Sequence, residues 1–498
     1  MVVKDSQPFS VVEDEGFRAF AHKLDPTYVL PTRQALKAMV AEKYAKAKEE
    51  AKACVLKATA VSLTADMWTS INMDAYLAVT CHFLNDSNEL KTIVLGVQHF
   101  PQAHTAAHLA AAKAAIMEEW GIRHKVTCLV TDAASNMIAA GRELNLKHGV
   151  CIGHTINLMV KKALDQTRGL QELRNRARKV VNLFRCSTTA KERLVQIQVQ
   201  LGRPTLKLIK EVETRWNSTF LMFERMYGER EPLSAAMSSL QTDVTPLTSA
   251  EFAVVEECLG VLSPFNEATV ELSTEKKVSA SKIIPLMKML DYTIGEQIPQ
   301  KKTTMAKELA EHLFRQVREK LNQFQIMSIF TLPTLLDPRF KTLGFLSPSK
   351  ADEAVQRLTS ECTYIISSHT PRPPATQPPT AGEDAGPSTS TGNLWRHLDV
   401  TVQQSRQSHN STADGIVEVQ RYIQEAHIPR KENPLTYWNT HKSLYPNLFI
   451  LAQRFSCIPA SSVPCERVFS KAGEVVSKKR NRLSPKAVEQ ILFLNKYN

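Results

Sequence analysis

The sequence predicts an α/β fold in which a small sheet is followed by a long helical region. Three apolar, strand-like segments lie close together over residues 61–66, 76–84 and 92–97. Helical and strand patterns alternate over residues 106–152, and the pattern from there to about Ser368 is mainly helical. These periodicities are the main sequence signals of the two element types.

Composition limits the class of protein. With 498 residues, 43% of them hydrophobic and 22% charged, the chain can form about three structural units with buried cores. The 62 Lys and Arg against 50 Asp and Glu give a formal charge of +12, which suits a polyanionic partner but is spread over the whole chain. No apolar run reaches the roughly 18 residues that a membrane span needs, so we expect no membrane partner.

The amino terminus and the cysteines exclude further classes. Residues 1–7 have no apolar core of the kind found in a secretory signal, which argues against secretion. The nine cysteines include no CxxC pair, so we expect reduced thiols in the cytosol or nucleus. The same pattern predicts that this chain holds no zinc finger and no zinc ion.

The elements follow one another in an informative order. Residues 1–57 have the apolar spacing of helices, and the three strand segments after them are joined by short polar turns, which predicts an antiparallel meander. An Ala-rich helix over 106–120, an apolar strand over 126–132, a helix and a short strand over 149–152 come next. Three antiparallel strands and then alternating helix and strand is the order of a ribonuclease-H-like core.

Composition shifts divide the chain further. Six of the 25 prolines fall within residues 370–393, together with Gly, Ser and Thr, which predicts a disordered linker there. The predicted units are an N-terminal helical region at 1–57, the first part of the core at 58–165, a helical region at 166–369, the linker at 370–393 and a C-terminal helical region at 414–498.

Two aspartates are candidates for chemistry. Asp66 and Asp132 each end an apolar strand, where a carboxylate is costly unless it is hydrogen-bonded, paired or bound to a cation. Two such groups in one small domain can share Mg²⁺, which prefers a few carboxylates together with water and substrate phosphate. Alternatively, Asp66 caps the turn that follows it and Asp132 caps a helix at Ala133. The residues alone leave both interpretations open.

Five ordered motifs carry a family resemblance. They are Leu63-Thr-Ala-Asp-Met-Trp-Thr-Ser, Thr131-Asp-Ala-Ala-Ser-Asn-Met, Cys151-Ile-Gly-His-Thr-Ile-Asn-Leu, Thr214-Arg-Trp-Asn-Ser-Thr and Ser461-Ser-Val-Pro-Cys-Glu-Arg-Val-Phe-Ser. Together they resemble the hAT superfamily of DNA transposases, and most of all the host proteins derived from it that carry BED-type zinc fingers. The BED finger that usually precedes these motifs is missing here, and Cys465 stands where Ser is commoner.

The resemblance implies a catalytic site. Asp66, Asp132 and Glu466 stand where the family has its Asp-Asp-Glu triad, which holds Mg²⁺ or Mn²⁺ for cut-and-paste transposition. It also implies that 166–369 is a helical insertion domain interrupting a ribonuclease-H-like core, and that 414–498 is the dimerisation region that completes the core. From the residues alone, Glu466 is explained by a capped helix start, with Ser461 and Ser462 before an acid in the first turn.

Several residues are candidates for DNA contact. The resemblance places His154 near the DNA, although Cys151-x-x-His154 is also half of a zinc site. Arg215 and Trp216 can hold a phosphate and stack on a base, or simply be solvated and packed. Arg467, which directly follows Glu466, is also assigned to DNA contact. Two basic clusters are either phosphate contacts or solvated faces, and the second also resembles a nuclear-localisation run: Arg174, Arg176, Arg178, Lys179 and Arg185; and Lys478, Lys479, Arg480 and Arg482.

The C-terminal region is expected to form a homodimer. Its apolar residues exceed what one short region needs for its own core, and the family dimerises here, although an intramolecular core is the alternative. The residues assigned to the dimer contact are Trp438, Tyr445, Leu448, Phe455 and Phe469.

These inferences predict a dimeric, nuclear DNA-binding protein, which is a domesticated regulator of transcription that retains the triad. The alternative is an active or recently active transposase. A third role, attachment of a small ubiquitin-like modifier, rests only on resemblance to BED-type relatives. No small-molecule substrate is expected.

Overall fold

A computed structural model describes residues 1–369, 411–476 and 483–497. The predicted linker at 370–393 and the basic cluster at 478–482 lie outside these residues. Within them, no helix is both long and apolar enough to cross a membrane.

A five-stranded mixed sheet forms the centre of the α/β part. Its strands, in spatial order, are β3 (Leu90–His99), β2 (Ala75–Leu84), β1 (Val61–Thr69), β4 (Val126–Thr131) and β5 (His148–Val150). The first three form an antiparallel meander, and β4 and β5 continue the sheet in parallel with β1. The predicted meander and the predicted α/β class are confirmed, and the strand positions agree to within a few residues.

Four α-helices flank the sheet in the first part of the sequence, residues 1–150, which the structure describes in full. Two helices precede β1, namely α1 (Glu15–Leu24) and α2 (Arg33–Lys57). Between β3 and β5 come α3 (Ala106–Glu119) and α4 (Ser135–Glu143). The Thr32 and Thr105 side chains cap α2 and α3 by accepting hydrogen bonds from backbone N–H groups three residues on.

A long helical region follows β5. Its helices are α5 (Ile152–Gln166), α6 (Leu170–Cys186), α7 (Thr188–Gln200), α8 (Trp216–Gly228), α9 (Arg230–Ser238), α10 (Ser249–Leu272), α11 (Ile283–Gln297), α12 (Thr304–Phe324), α13 (Ser328–Leu335) and α14 (Pro348–His369). A capping box between Thr248 and Glu251 starts α10.

The C-terminal helices are shared between two cores. They are α15 (Ser411–Gln424), α16 (Pro434–His441), α17 (Pro446–Ser456), α18 (Val463–Val475) and α19 (Pro485–Tyr497). The first three bury their apolar residues with the helical region. By contrast, α18 packs on β1 and β2, and α19 packs on β3 and α2. The predicted C-terminal region therefore does not form a separate core.

Candidate active site

Asp66 and Asp132 lie side by side at one end of the sheet. Strands β1 and β4 are parallel neighbours, and Thr64 pairs with Val130 in their register. Each aspartate comes two residues after one of these partners. Asp132 directly follows β4, but Asp66 lies inside β1, which continues to Thr69, so the prediction that Asp66 ends its strand is wrong. Residues two apart point to the same face of a strand, and neighbouring strands lie about 4.8 Å apart. The two acids are therefore neighbours on one face of the sheet.

Both aspartates also make local hydrogen bonds. Asp66 Oδ1 accepts from the Met67 N–H at 2.8 Å, and Asp132 Oδ1 accepts from the Ala134 N–H at 3.2 Å. The expectation that Asp132 caps a helix at Ala133 is wrong, because α4 begins at Ser135 and has no side-chain cap. Each carboxylate keeps a second oxygen with which it can bind another partner.

Glu466 lies in the first turn of α18, and its neighbour Cys465 fixes that turn against the sheet. The buried Cys465 Sγ is 3.1 Å from Thr64 Oγ1 and 3.7 Å from the carbonyl oxygen of Ala78. Ala78 is the register partner of Asp66 on β2. Cys465 thus brings an acid that is distant in sequence next to the two aspartates. The Ser462 hydroxyl does not cap α18 as expected; Pro464 lies in its first turn instead.

A second thiol ties α5 to the segment before α18. The buried Cys151 Sγ accepts hydrogen bonds from the N–H groups of His154 at 3.4 Å and Ser462 at 3.3 Å. The Ile152 N–H donates to the Ala460 carbonyl oxygen at 2.9 Å. Burial raises the pKa of the Cys151 thiol. Cys151 is therefore a neutral packing and capping group, and half-buried His154 lies one turn further along α5.

Asp132 and Glu466 act electrostatically on Asp66. Burial raises the pKa of the Asp66 carboxyl to about 7, the hydrogen bond from Met67 lowers it, and the negative fields of Asp132 and Glu466 raise it further. Within the part of the chain that the structure describes, none of the three carboxylates forms an ion pair. The site is thus a concentration of negative charge, which favours protons or cations.

Two groups that the sequence did not single out lie near Asp132. Lys113 on α3 is 1% exposed, and its ammonium donates to Met137 Sδ at 3.4 Å. Burial lowers the pKa of Lys113 to about 8, and Asp132 opposes this effect. His148 Nε2 is 2.8 Å from Thr131 Oγ1, and burial lowers the pKa of this imidazole. A lone lysine on the apolar face of an Ala-rich helix was the available sequence signal.

The donor chemistry of the three acids suits a divalent cation. Carboxylate oxygens are the ligands that Mg²⁺ and Mn²⁺ prefer. Across residues 1–369, 411–476 and 483–497, no group of three or more His, Cys, Asp and Glu is arranged so that it could hold a metal ion. A shared ion would require the three carboxylates to turn toward one another, so metal binding by Asp66, Asp132 and Glu466 stays a prediction.

Asn157 connects two of the sequence motifs. Its Oδ1 accepts from the Trp216 N–H at 2.9 Å, and its Nδ2 donates to the Thr214 carbonyl oxygen at 3.1 Å. Asn157 lies three residues after His154 on α5, so the two share a face of that helix. These bonds place Arg215, which is exposed, at the amino end of α8 beside α5.

Two other predicted DNA contacts are used inside the molecule. The Trp216 side chain is 1% exposed and packs with Phe220, so stacking on a base would require it to be uncovered. Arg467 donates to Glu275 Oε2 at 2.7 Å and to the Ser273 carbonyl oxygen at 3.0 Å. Both residues hold the fold together in this structure, and their DNA contacts stay predictions.

The basic stretch on α6 is largely paired with acids. Arg174 bonds to Asp165 and Glu211, each at 3.0 Å, and Arg178 also bonds to Glu211. Arg176 pairs with Glu251. Three of the five basic residues are therefore paired with acids of the same chain, and their positions need no nucleic acid to explain them.

The five residues assigned to the dimer contact are interior residues, which corrects that expectation. Trp438, Tyr445, Leu448 and Phe455 are no more than 1% exposed, and Phe469 is 7% exposed. The Trp438 indole donates to the Leu336 carbonyl oxygen at 2.8 Å, and the Tyr445 hydroxyl donates to Glu425 at 2.8 Å. Phe469 stacks on Trp68 of β1. They pack against upstream parts of the same chain, so any dimer surface must be formed by other residues.

Comparisons with known proteins agree with this architecture. Residues 64–154 match a family model described as the ZBED1 RNase-like domain, and residues 149–261 match the ZBED1 RNase-like helical domain. Residues 418–497 match the hAT family C-terminal dimerisation region.

Longer relatives align over nearly the whole chain. Human zinc finger BED domain-containing protein 4 is 27% identical over 99% of this chain and 42% of its own length. A Zea mays protein named "Putative AC transposase" is 24% identical over 99% of this chain and 63% of its own length. A Talaromyces stipitatus protein named "Putative transcriptional regulator tpeD" is 24% identical over 98% of this chain and 60% of its own length. The chain thus spans less than two thirds of each.

The fold and the matches define an RNase-like α/β protein with an associated helical region and a C-terminal dimerisation region. Within that class, the matches and the relatives support a hAT-family protein of the domesticated-transposase type.

Proposed function

We propose that this chain is the DNA-binding part of a dimeric nuclear protein that descends from a hAT transposase and now regulates transcription. The relatives support this proposal, since they include BED-type zinc-finger proteins and a protein named as a transcriptional regulator. The match to the dimerisation region supports a homodimer. In this proposal, the helices from α6 to α14 are an insertion into the RNase-like core, which α18 and α19 complete.

The observation that carries DNA binding is the chain of contacts from α18 to Arg215. The segment before α18 is fixed to Cys151 at the start of α5, and Asn157 on α5 fixes the loop that carries Arg215. Arg215 is exposed and makes no ion pair with any described residue. An exposed arginine that α5 links to the segment before α18 can contact a phosphate of a DNA strand that approaches the acids.

The internal contacts of Arg467 and Trp216 favour the regulatory role over transposition. Both groups would need to leave their present partners to contact DNA, whereas Arg215 and His154 need no such change. A protein that uses the catalytic fold as a scaffold needs the binding surface but not the full set of reactive-site contacts.

An active transposase is the second candidate, and the three acids favour it. Asp66 lies on β1, Asp132 directly follows the neighbouring strand β4, and Cys465 holds Glu466 beside them. In this candidate function, the three carboxylates would hold Mg²⁺ or Mn²⁺, and the ions would activate the attacking oxygen and stabilise the leaving oxygen of a phosphodiester.

Two assays on the purified chain test these functions. Fluorescence anisotropy with a labelled duplex DNA measures binding, and nicking of supercoiled plasmid in Mn²⁺ measures cleavage. Binding without nicking is the expected result. Nicking that disappears in Asp132→Asn, while that variant still binds DNA, would establish the transposase instead. A chain that binds no DNA at low salt would overturn both.

Light scattering tests the homodimer. We expect the mass of two chains at micromolar concentration. A single-chain mass that persists as the concentration is raised would contradict dimerisation through this chain.

A further inference from the structure

A groove with a basic rim lies where the helical region meets the C-terminal helices. Its main cavity has a volume of about 570 Å³. The walls come from the segment that joins α10 to α11, the segment after α13, and the loop before α16. We refer to it as the basic groove. Its basic residues are Lys276, Lys277, Lys282, Arg339, Arg430 and Lys431.

Positive charge in the basic groove is only partly neutralised. Two acids, Glu271 and Glu432, line the same cavity. Glu271 pairs with Lys282, and Arg339 pairs with Asp337 through two hydrogen bonds. The remaining four cations are exposed and form no ion pair with a described residue: Lys276, Lys277, Arg430 and Lys431. The groove therefore carries a local excess of positive charge.

The basic groove continues into a second cavity of about 620 Å³. The two cavities share Lys276, Asn433 and Leu435 as lining residues. The second cavity extends along the turn between β2 and β3 toward Lys91. The Asn88 side chain in that turn donates to the Leu435 carbonyl oxygen at 3.0 Å, which holds the turn against α16. Together the cavities form an elongated channel. In its second part, Lys91 pairs with Glu89 and Lys496 pairs with Glu275, so the unpaired cations belong to the basic groove and its junction at Lys276.

The basic groove is separate from the acid site. Lys91 pairs with Phe83, which pairs with Val61 at the start of β1. Asp66 lies five residues further along β1, which corresponds to about 16 Å at roughly 3.3 Å per residue. The Lys91 end of the second cavity therefore lies well away from Asp66 along the sheet.

We propose that the basic groove binds the phosphodiester backbone of DNA, through Lys276, Lys277, Arg430 and Lys431. An elongated channel with unpaired cations on two loops suits a linear polyanion, whose phosphates can meet charge from both loops. This inference rests on the proposed DNA-binding function and names a second surface for it.

The test compares two triple variants of the full chain. The first, Lys276→Gln/Lys277→Gln/Lys431→Gln, removes three groove cations. The control, Lys43→Gln/Lys46→Gln/Lys57→Gln, removes three exposed cations from α2 and gives the same net charge. Affinity for a labelled 30-base-pair duplex is measured from about 50 to 200 mM salt, and circular dichroism confirms that both variants fold. Binding of fluorescent poly-glutamate is measured in parallel.

The expected result is a change in salt dependence. Each phosphate contact contributes about 0.9 to the slope of log K against log salt concentration, so the groove variant should lose about 2 to 3 from that slope. The α2 control should keep the parent slope. Poly-glutamate binding should be weak in the parent.

Other outcomes would overturn the inference in distinguishable ways. If the parent binds DNA and the groove variant keeps its slope, the groove does not contact DNA, and the proposed function stands. An equal loss in both variants would mean that only net charge matters. If DNA binding is unchanged and poly-glutamate binding is lost, the groove serves an acidic protein. If the parent binds no DNA, the proposed function and the groove inference both fail.

Discussion

Replacing Asp66 by Asn should stabilise the folded protein at neutral and alkaline pH, because it removes the free-energy cost of a buried negative charge. The carboxyl has its pKa raised from 3.8 to about 7, mainly by burial and then by Asp132 and Glu466. Between these values the folded protein binds more protons than the unfolded chain, so stability falls as pH rises from about 4 to about 7. A difference of about 3 between the two pKa values corresponds to about 4 kcal/mol.

The measurement is urea unfolding of parent and variant from pH 4 to pH 8, in EDTA so that divalent cations are absent. Solvent screening at the partly exposed carboxyl reduces the expected effect to about 2 to 4 kcal/mol in favour of the variant at pH 8, relative to pH 4. Asp86→Asn, in the exposed turn between β2 and β3, is the matched control and should run parallel to the parent. A difference between Asp66→Asn and the parent that stays constant with pH would refute the electrostatic reasoning.

Four further outcomes are expected. Adding Mn²⁺ at pH 8 should raise the denaturation temperature of the parent but not of Asp66→Asn; an equal rise in both would argue against metal binding at this carboxylate. Trp438→Ala should destabilise the chain by about 3 to 5 kcal/mol, because it empties a core position. The dimer of this variant should dissociate at the same protein concentration as the parent dimer, whereas a weaker dimer would return this residue to the dimer interface. Glu275→Gln should cost about 1 to 3 kcal/mol by thermal unfolding, since it weakens two ion pairs that join the segment after α10 to α18 and α19. The exposed Glu474→Gln should cost at most about 1 kcal/mol, and an equal cost for both would contradict this difference. Asn157→Ala should speed tryptic cleavage at Arg215, because the loop loses the two hydrogen bonds that hold it to α5; an unchanged rate would contradict that anchoring.

Local pattern was enough to predict the sheet and one part of the acid site. Alternation places β1 to β4 almost where the structure has them, because half-buried strands impose a period of two. Asp66 and Asp132 stand out for the same reason, since each is a charged residue after an apolar run, although β1 in fact continues past Asp66 to Thr69. The register that sets them side by side depends on pairing between β1 and β4, which no local signal encodes.

The tail was misinterpreted because its packing partners are distant in sequence. Trp438 and Tyr445 look surplus when the C-terminal region is considered alone. Their partners include the Leu336 carbonyl oxygen, about a hundred residues upstream. Likewise, nothing in the sequence around Arg467 indicates that Glu275 is its partner. Excess apolar residues in a segment thus indicate burial but do not reveal which surface covers them.

The order of the elements also constrains how the protein folds during synthesis. The sheet is complete once β5 has been made, yet α18 and α19, which cover β1, β2 and β3, follow more than 300 residues later. At about 5 to 20 residues per second, the ribosome needs on the order of 20 to 70 s to reach them. During that time the apolar surface of the sheet is open on the nascent chain. Truncated products that end within the helical region should therefore engage chaperones and aggregate, even though every strand is present.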